Sequence, residues 1–231
     1  MEEKKFSDNP LYEERFRFKE RNESFLFYLI LTCFLLVFTF ARVYWVNRYE
    51  MVQVDGSSMN CTLQHRQWLL LDKSLEAKRG DIIVVDVRGY EEFKNDNDGT
   101  THLIKRLIAV EGDKVRCTDG VLEINNAETG YIWQQVDESG YAYYSNKNAY
   151  DFSEYEVQAG EIFFLGDNRN NSKDSRYKEP LGSRLDRLYK AEDIYGVVTP
   201  WAVENSETTE RIFVTVPLAI QNFFHKIFGI K

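Results

Sequence analysis

Two serines, Ser57 and Ser58, sit in "VDGSSMNCTLQHRQW" (residues 54–68), behind a glycine and ahead of a methionine. A serine hydroxyl becomes a nucleophile only when a base within hydrogen-bond reach takes its proton. His65 and His102 keep a Ser–His pair formally open, but nothing around either one favours it. Lys105 is the other candidate. In "HLIKRLIAV" (102–110) a strand puts Leu103, Lys105, Leu107 and Ala109 on one face and Ile104, Arg106, Ile108 and Val110 on the other. Lys105 is therefore set among apolar neighbours. Burial disfavours the ammonium form and lowers a lysine pKa, and a neutral lysine is a known base for serine. Read alone, Lys105 fits as well a lysine snorkelling past its neighbours or guarding a sheet edge, and Gly-Ser-Ser fits a plain loop. If Ser58 begins a turn at a strand end, main-chain N–H groups there can stabilise an oxyanion, and Gly56 permits the tight backbone.

A third stretch, "FLGDNRNNSKDSRYKEPLG" (164–182), is too polar for core. Its Asp and Asn residues favour Asx turns, and Asp174 with Arg176 makes a pair able to brace a loop. The spacing does not match an EF-hand, and two arginines are embedded in it, which argues against calcium. Cys33, Cys61 and Cys117 have no metal spacing; Cys61 and Cys117 are read as two unpaired thiols. The expectation is therefore no metal and no cofactor.

These residues need a scaffold. The chain has 231 residues, is 15% aromatic and carries a net charge of -8, which suits one globular domain with accessory segments. The acidic balance, with no basic stripe, argues against a nucleic-acid partner. A charged N-terminal tail (1–24) meets "SFLFYLILTCFLLVFTFA" (24–41), and an anchor over 25–46 would reach roughly 33 Å as a helix, enough to cross a bilayer core. The run shows no polar face, against a core helix, and no small-x-small site at its end, against a cleaved signal. Six basic residues precede it (Lys4, Lys5, Arg15, Arg17, Lys19, Arg21), against Arg42 and Arg48 soon after, so the N-terminus is expected in the cytoplasm and the remainder outside. There, over 47–211, short apolar runs (49–54, 68–73, 81–87, 102–110, 114–117, 121–125, 161–167 and 195–201) alternate with Gly-containing turns. This pattern predicts a mainly β domain, a twisted antiparallel, partly open barrel-like sheet. Within it, about 117–160 reads as a variable insertion, irregular from 125 on. The tail 212–231 has apolar residues at helical spacing after Pro217 and reads as an amphipathic or membrane-associated segment.

In order along the chain, "DGSSMNCTL", "RGDIIVV", "IKRLIAVEGD" and "GDNRNNSKDSR" resemble the four boxes of the bacterial type I signal peptidases, and the likeness covers the anchor and most of the exterior domain. The resemblance implies the fold that family shares with self-cleaving repressors, one N-terminal transmembrane helix, and a Ser-Lys serine endopeptidase. It would remove signal peptides from exported preproteins after small-x-small residues, working at the bilayer without a partner subunit. On that likeness Ser58 is the nucleophile and Lys105 the base, then the acid toward the leaving amine. Ser172 orients the lysine amine, and the main chain at Gly56 and Ser58 serves the oxyanion. Arg106, Asp167, Asn168, Asp174 and Arg176 are structural support, and Met59 lines the substrate cleft.

Two positions depart from the family pattern: Cys61 and Glu111 stand where it has prolines. Proline fixes φ, so both loops are expected to lose rigidity, with slower or more redox-sensitive catalysis. Two rivals stay open. A self-cleaving repressor would carry a DNA-binding module where the apolar run stands; a catalytically silent, membrane-anchored peptide-binding homologue would keep the groove without the chemistry.

Overall fold

The computed structural model describes residues 10–60, 62–90, 93, 100–119, 121–126, 131–135, 151–169, 171–177 and 189–215. The readings of Cys61, of much of the insertion and of the C-terminal segment beyond 215 lie outside these. The chain divides at Arg48 into two units. The first holds α1 (Pro10–Arg48), one unbroken helix with Arg48 in its last turn. Its stretch Ser24–Arg48 is long and apolar enough to cross a membrane. Phe25, Leu29, Val37 and Phe40 are all exposed. A helix apolar on every side needs an apolar surrounding, so this one fits a single span.

The second unit is mainly β, as the run of short apolar stretches predicts. Seven strands form one curled antiparallel sheet in the order β1 (Tyr49–Gln53), β2 (Trp68–Asp72), β11 (Ile194–Val198), β3 (Ile82–Asp86), β4 (His102–Val110), β9 (Glu161–Leu165) and β10 (Tyr189–Lys190). The interior strand β3, "IIVVD", is buried at its first four positions, which is what β-branched residues on both faces of a covered strand provide. A second sheet runs in the order β7 (Tyr131–Gln135), β6 (Val121–Asn126), β5 (Lys114–Thr118) and β8 (Phe152–Glu156). Within 125–160, the described residues 131–135 and 152–156 are strands where an irregular stretch was expected. β8, "FSEYE", is polar and turn-like in composition, and it becomes a strand because Tyr155 and neighbouring Phe152 pack on the core between the sheets. Tertiary burial there overrides local composition. The last predicted strand, 195–201, also ends early: α2 (Pro200–Glu204) begins at Pro200, and α3 (Ser206–Glu210) follows.

Strand pairing leaves a gap in the large sheet. β1 is an edge, paired only with β2. β4 pairs with β3 over 102–106 but with β9 only over 106–110, so no described strand covers the second side of His102–Lys105. A bulge between Leu107 and Ala109 also alters the face assignment: Ile108 and Ala109 are both buried, although strict alternation puts them on opposite faces.

Candidate active site

The turn carrying the two serines is a closed excursion between β1 and β2. Val54 N–H donates to Gln67 O (2.9 Å), and Arg66 N–H donates to Val54 O (2.8 Å), fastening both ends. Inside it, Leu63 N–H donates to Met59 O (2.8 Å), making one helical turn. Met59 and Leu63, each 1% exposed, anchor that turn in the core below the sheet; burying two such side chains is worth about 1.5–3 kcal/mol each. Gly56, at φ +91°, lets the chain reverse just before Ser57.

Lys105 reaches the same point from β4. Its Nζ lies 2.8 Å from Ser58 Oγ and 3.1 Å from Ile104 O, and the residue is 3% exposed. Burial lowers its pKa to about 8, against the pull of the Asp174 and Asp167 charges. That leaves about a tenth of the amine neutral at pH 7, with a lone pair to accept the Ser58 proton.

The stretch after β9 closes over the serine. Asn168 N–H donates to Ser58 O (3.0 Å) and its Nδ2 to Ser57 O (3.1 Å), while Asn171 Nδ2 donates to Ser57 Oγ (2.8 Å). Gly166 passes so close that a Cβ there would stand 2.5 Å from Ser58 O and 2.2 Å from Ser172 Oγ. Ser172 is thus beside Ser58, but its buried hydroxyl makes no hydrogen bond to Lys105 and faces the Asp174 carboxylate without ideal geometry.

Two buried carboxylates hold these pieces together. Asp167 receives Arg106 through Nε (2.9 Å) and a second nitrogen (2.7 Å), and Thr62 Oγ1 (2.6 Å). It therefore ties β4, the serine turn and the post-β9 stretch at one point. Asp174 is paired in the same two-pronged way with Arg176, at 2.9 Å for both contacts, and accepts Gly166 N–H at 3.1 Å. Burial acts to raise the Asp174 pKa, but the Arg176 charge and hydrogen bonds, with Ser172 and the Gly166 N–H, outweigh it and hold the carboxyl below its ordinary value.

The sequence-derived residues thus gather at one place: Ser58, Lys105, Ser172, Met59, Arg106, Asp167, Asn168, Asp174 and Arg176. The histidines do not join a Ser–His pair. His65 Nδ1 accepts the Gly56 N–H (3.1 Å), and the His102 ring stands against Tyr195 with centroids 5.1 Å apart. The Gly56 N–H is accordingly turned away from the oxyanion role, whereas no described residue accepts the Ser58 N–H. Thr62, Gly166 and Asn171 escaped the sequence reading. Gly166 had a signal, a glycine directly after the apolar run "FFL"; the reach of Thr62 to Asp167, across 105 residues, had none. Glu111, where rigidity was expected to fall, instead accepts the Gly160 N–H through its carboxylate (3.0 Å), which braces the β4–β5 turn.

A cleft of about 770 Å³ leads away from Ser58 between β1 and the uncovered half of β4, lined by Val52, Val54, Val84, Ile104 and Tyr195, with Glu50 and His102 at its far end.

Residues 24–201 match the family described as signal peptidase, peptidase S26. The chain is 35% identical over 150 residues to signal peptidase I U of Bacillus subtilis (strain 168), covering 61% of this chain and 70% of that protein. To signal peptidase I of Streptococcus pneumoniae serotype 4 it is 31% identical over 194 residues, covering 71% and 86%. To signal peptidase I of Bacillus licheniformis it is 32% identical over 132 residues, and the match spans 66% of that protein's length. A crystal structure of a signal peptidase I from Enterococcus faecalis V583 aligns with a TM-score of 0.36 at 26% identity, covering 54% of this chain and 98% of that one.

Proposed function

The chain belongs to the signal peptidase family, peptidase S26, and from that premise we propose that it is a membrane-anchored serine endopeptidase that removes signal peptides from exported preproteins. The observation that carries the reading is the 2.8 Å contact between Ser58 Oγ and a buried Lys105 amine. Neutral Lys105 takes the hydroxyl proton as Oγ attacks the scissile carbonyl carbon, and the Ser58 N–H receives the developing oxyanion. The resulting ammonium returns its proton to the leaving amine nitrogen, freeing the mature protein. A water then gives a proton to Lys105 and attacks the acyl ester, releasing the signal peptide and restoring Ser58. Arg106, Asp167, Asp174 and Arg176 hold the turn and the strand in register.

Substrate enters as an extended strand between β1 and the uncovered half of β4, recognised mainly through main-chain hydrogen bonds. Val52, Val54, Val84 and Ile104 give the cleft an apolar lining, which suits small apolar side chains at the first and third positions before the cut. α1 spans the membrane with the N-terminus in the cytoplasm. Cleavage of a preprotein by the detergent-solubilised chain tests this, with Ser58→Ala and Lys105→Ala alongside. Cutting after a small-x-small site by the parent alone is the expected result. A parent as inactive as both variants over several preproteins would leave the silent peptide-binding homologue.

A further inference from the structure

We propose that the Ser57 hydroxyl is a second donor to the oxyanion, beside the Ser58 N–H, and that Asn171 is the positioning residue that aims it. The inference rests on the Ser58–Lys105 reading of the site and deepens it: an oxyanion hole is ordinarily built from two donors, and the Ser58 N–H supplies one.

Covalent geometry sets the two groups side by side. In a trans peptide the Ser58 N–H lies on the same side as the Ser57 Cα and opposite the Ser57 carbonyl. That carbonyl is fastened by the Asn60 N–H (3.0 Å) and by Asn168 Nδ2 (3.1 Å). The peptide plane is therefore fixed, and the Ser58 N–H points away from both partners. Ser57 Oγ, two bonds from that Cα, stays within about 5 Å of the Ser58 nitrogen in any rotamer. An oxygen that accepts from the Ser58 N–H thus stands next to the Ser57 side chain.

The hydrogen bonds around Ser58 leave this hydroxyl with a proton to give. Asn171 Nδ2 donates to Ser57 Oγ (2.8 Å), which occupies one lone pair, and among the described residues no group accepts the Ser57 O–H. The neighbouring donors are committed: the Gly56 N–H to His65 Nδ1, Thr62 Oγ1 to Asp167, and Ser172 toward the Asp174 carboxylate. Asn171 is tied to the turn it serves, since its N–H donates to Asn168 O (3.0 Å) and the Asn168 N–H donates to Ser58 O (3.0 Å). An amide hydrogen directed at Oγ repels the hydroxyl hydrogen and turns it away, into the cleft that Ser57, Ser58, Lys105 and Asn171 all line. The bond from Ser57 strengthens as the carbonyl oxygen gains charge, so the effect falls on kcat rather than KM.

The test compares the full-length parent with Ser57→Ala, Ser57→Thr and Asn171→Ala. With preprotein, Ser57→Ala is expected to lose about 100-fold in kcat, the weight of one oxyanion donor, with KM within about twofold. Ser57→Thr keeps the hydroxyl and is expected to stay within about fivefold of the parent. Asn171→Ala is expected to lose about tenfold, and nothing further in a Ser57→Ala background, because an absent hydroxyl cannot be aimed. A peptide aldehyde ending at a small residue gives a readout apart from turnover. Ser58 Oγ bonds to its carbonyl carbon, the C=O π bond opens onto the oxygen, and the serine proton passes to Lys105; the matching peptide alcohol forms no such bond. Ser57→Ala is expected to weaken aldehyde binding about as much as it lowers kcat and to leave alcohol binding as in the parent. Parent-like kcat in Ser57→Ala, a loss that Ser57→Thr shares in full, or aldehyde and alcohol weakened alike would each overturn the proposal. If Ser57→Ala does not fold, Asn171→Ala against the two peptides gives the same decision. A parent that cuts no preprotein and binds the aldehyde no better than the alcohol would overturn the peptidase reading and this inference with it. A parent that does both, matched throughout by Ser57→Ala, would overturn the inference alone.

Discussion

With its amine held at a pKa of about 8 by burial, Lys105 makes the folded chain's stability depend on pH in the direction opposite to that of a salt-bridged lysine. Below about pH 8 both folded and unfolded states hold the proton, and the folded state bears the whole desolvation penalty. From about 8 up to the unfolded lysine value near 10.4 the unfolded chain binds more protons, so stability rises with pH across that window. The penalty is on the order of 3 kcal/mol. Lys105→Met, similar in volume and uncharged, is therefore expected to raise Tm at pH 7 by several degrees while abolishing cleavage; about 1 kcal/mol is returned by the lost bond to Ser58. A Tm at or below the parent's would contradict the burial account. The apolar neighbours of Lys105 were legible from strand alternation, but they fitted a snorkelling or edge lysine as well as a buried one; the Asp174–Arg176 pair, two residues apart, was legible as a brace. The partners of Asp167 were not, because Arg106 and Thr62 reach it across 61 and 105 residues, and no local pattern encodes such a meeting.

At the scale of elements, the β4–β5 turn shows how a lost proline can be replaced. Gly112 N–H donates to Val157 O, and Val157 N–H donates to Asp113 O; Asp113 also accepts Arg79 twice, at 2.5 Å, and Val110 N–H. Glu111 adds the bond to Gly160. Restriction of φ is exchanged for hydrogen bonds to a neighbouring turn. Glu111→Ala should accordingly lower Tm by a few degrees, the weight of about 1 kcal/mol, and leave kcat unchanged; an unaltered Tm would show that the carboxylate contributes nothing. Most strands could be read from apolar runs bounded by glycine turns. β8 could not, because "FSEYE" is polar enough to pass for loop, and the core that Tyr155 and Phe152 join makes a strand of it. The bulge in β4 was equally hidden, since period-two alternation carries no mark of one extra residue.

For the whole molecule, the break at Arg48 gives a prediction about division of labour. A chain starting at Tyr49 should still cut a short soluble peptide within a few-fold of the parent rate, but should lose about 100-fold or more on preproteins embedded in vesicles, where the anchor supplies effective concentration. Equal losses on both substrates would mean that the helix supports the fold rather than the encounter. The apolar helix was plain in the sequence because seventeen uncharged residues from Phe25 to Ala41 have few uses in water. The post-β9 stretch has a further consequence. Its asparagines clasp the serine turn over separations of 111 and 114 residues, so the turn that carries Ser58 is not set until most of the polypeptide has been made and has condensed. Pairings this remote form slowly. On the proposed reading of Ser58, an unfinished chain would therefore not yet cut, and the incomplete fold would restrain the serine as a removable propeptide does.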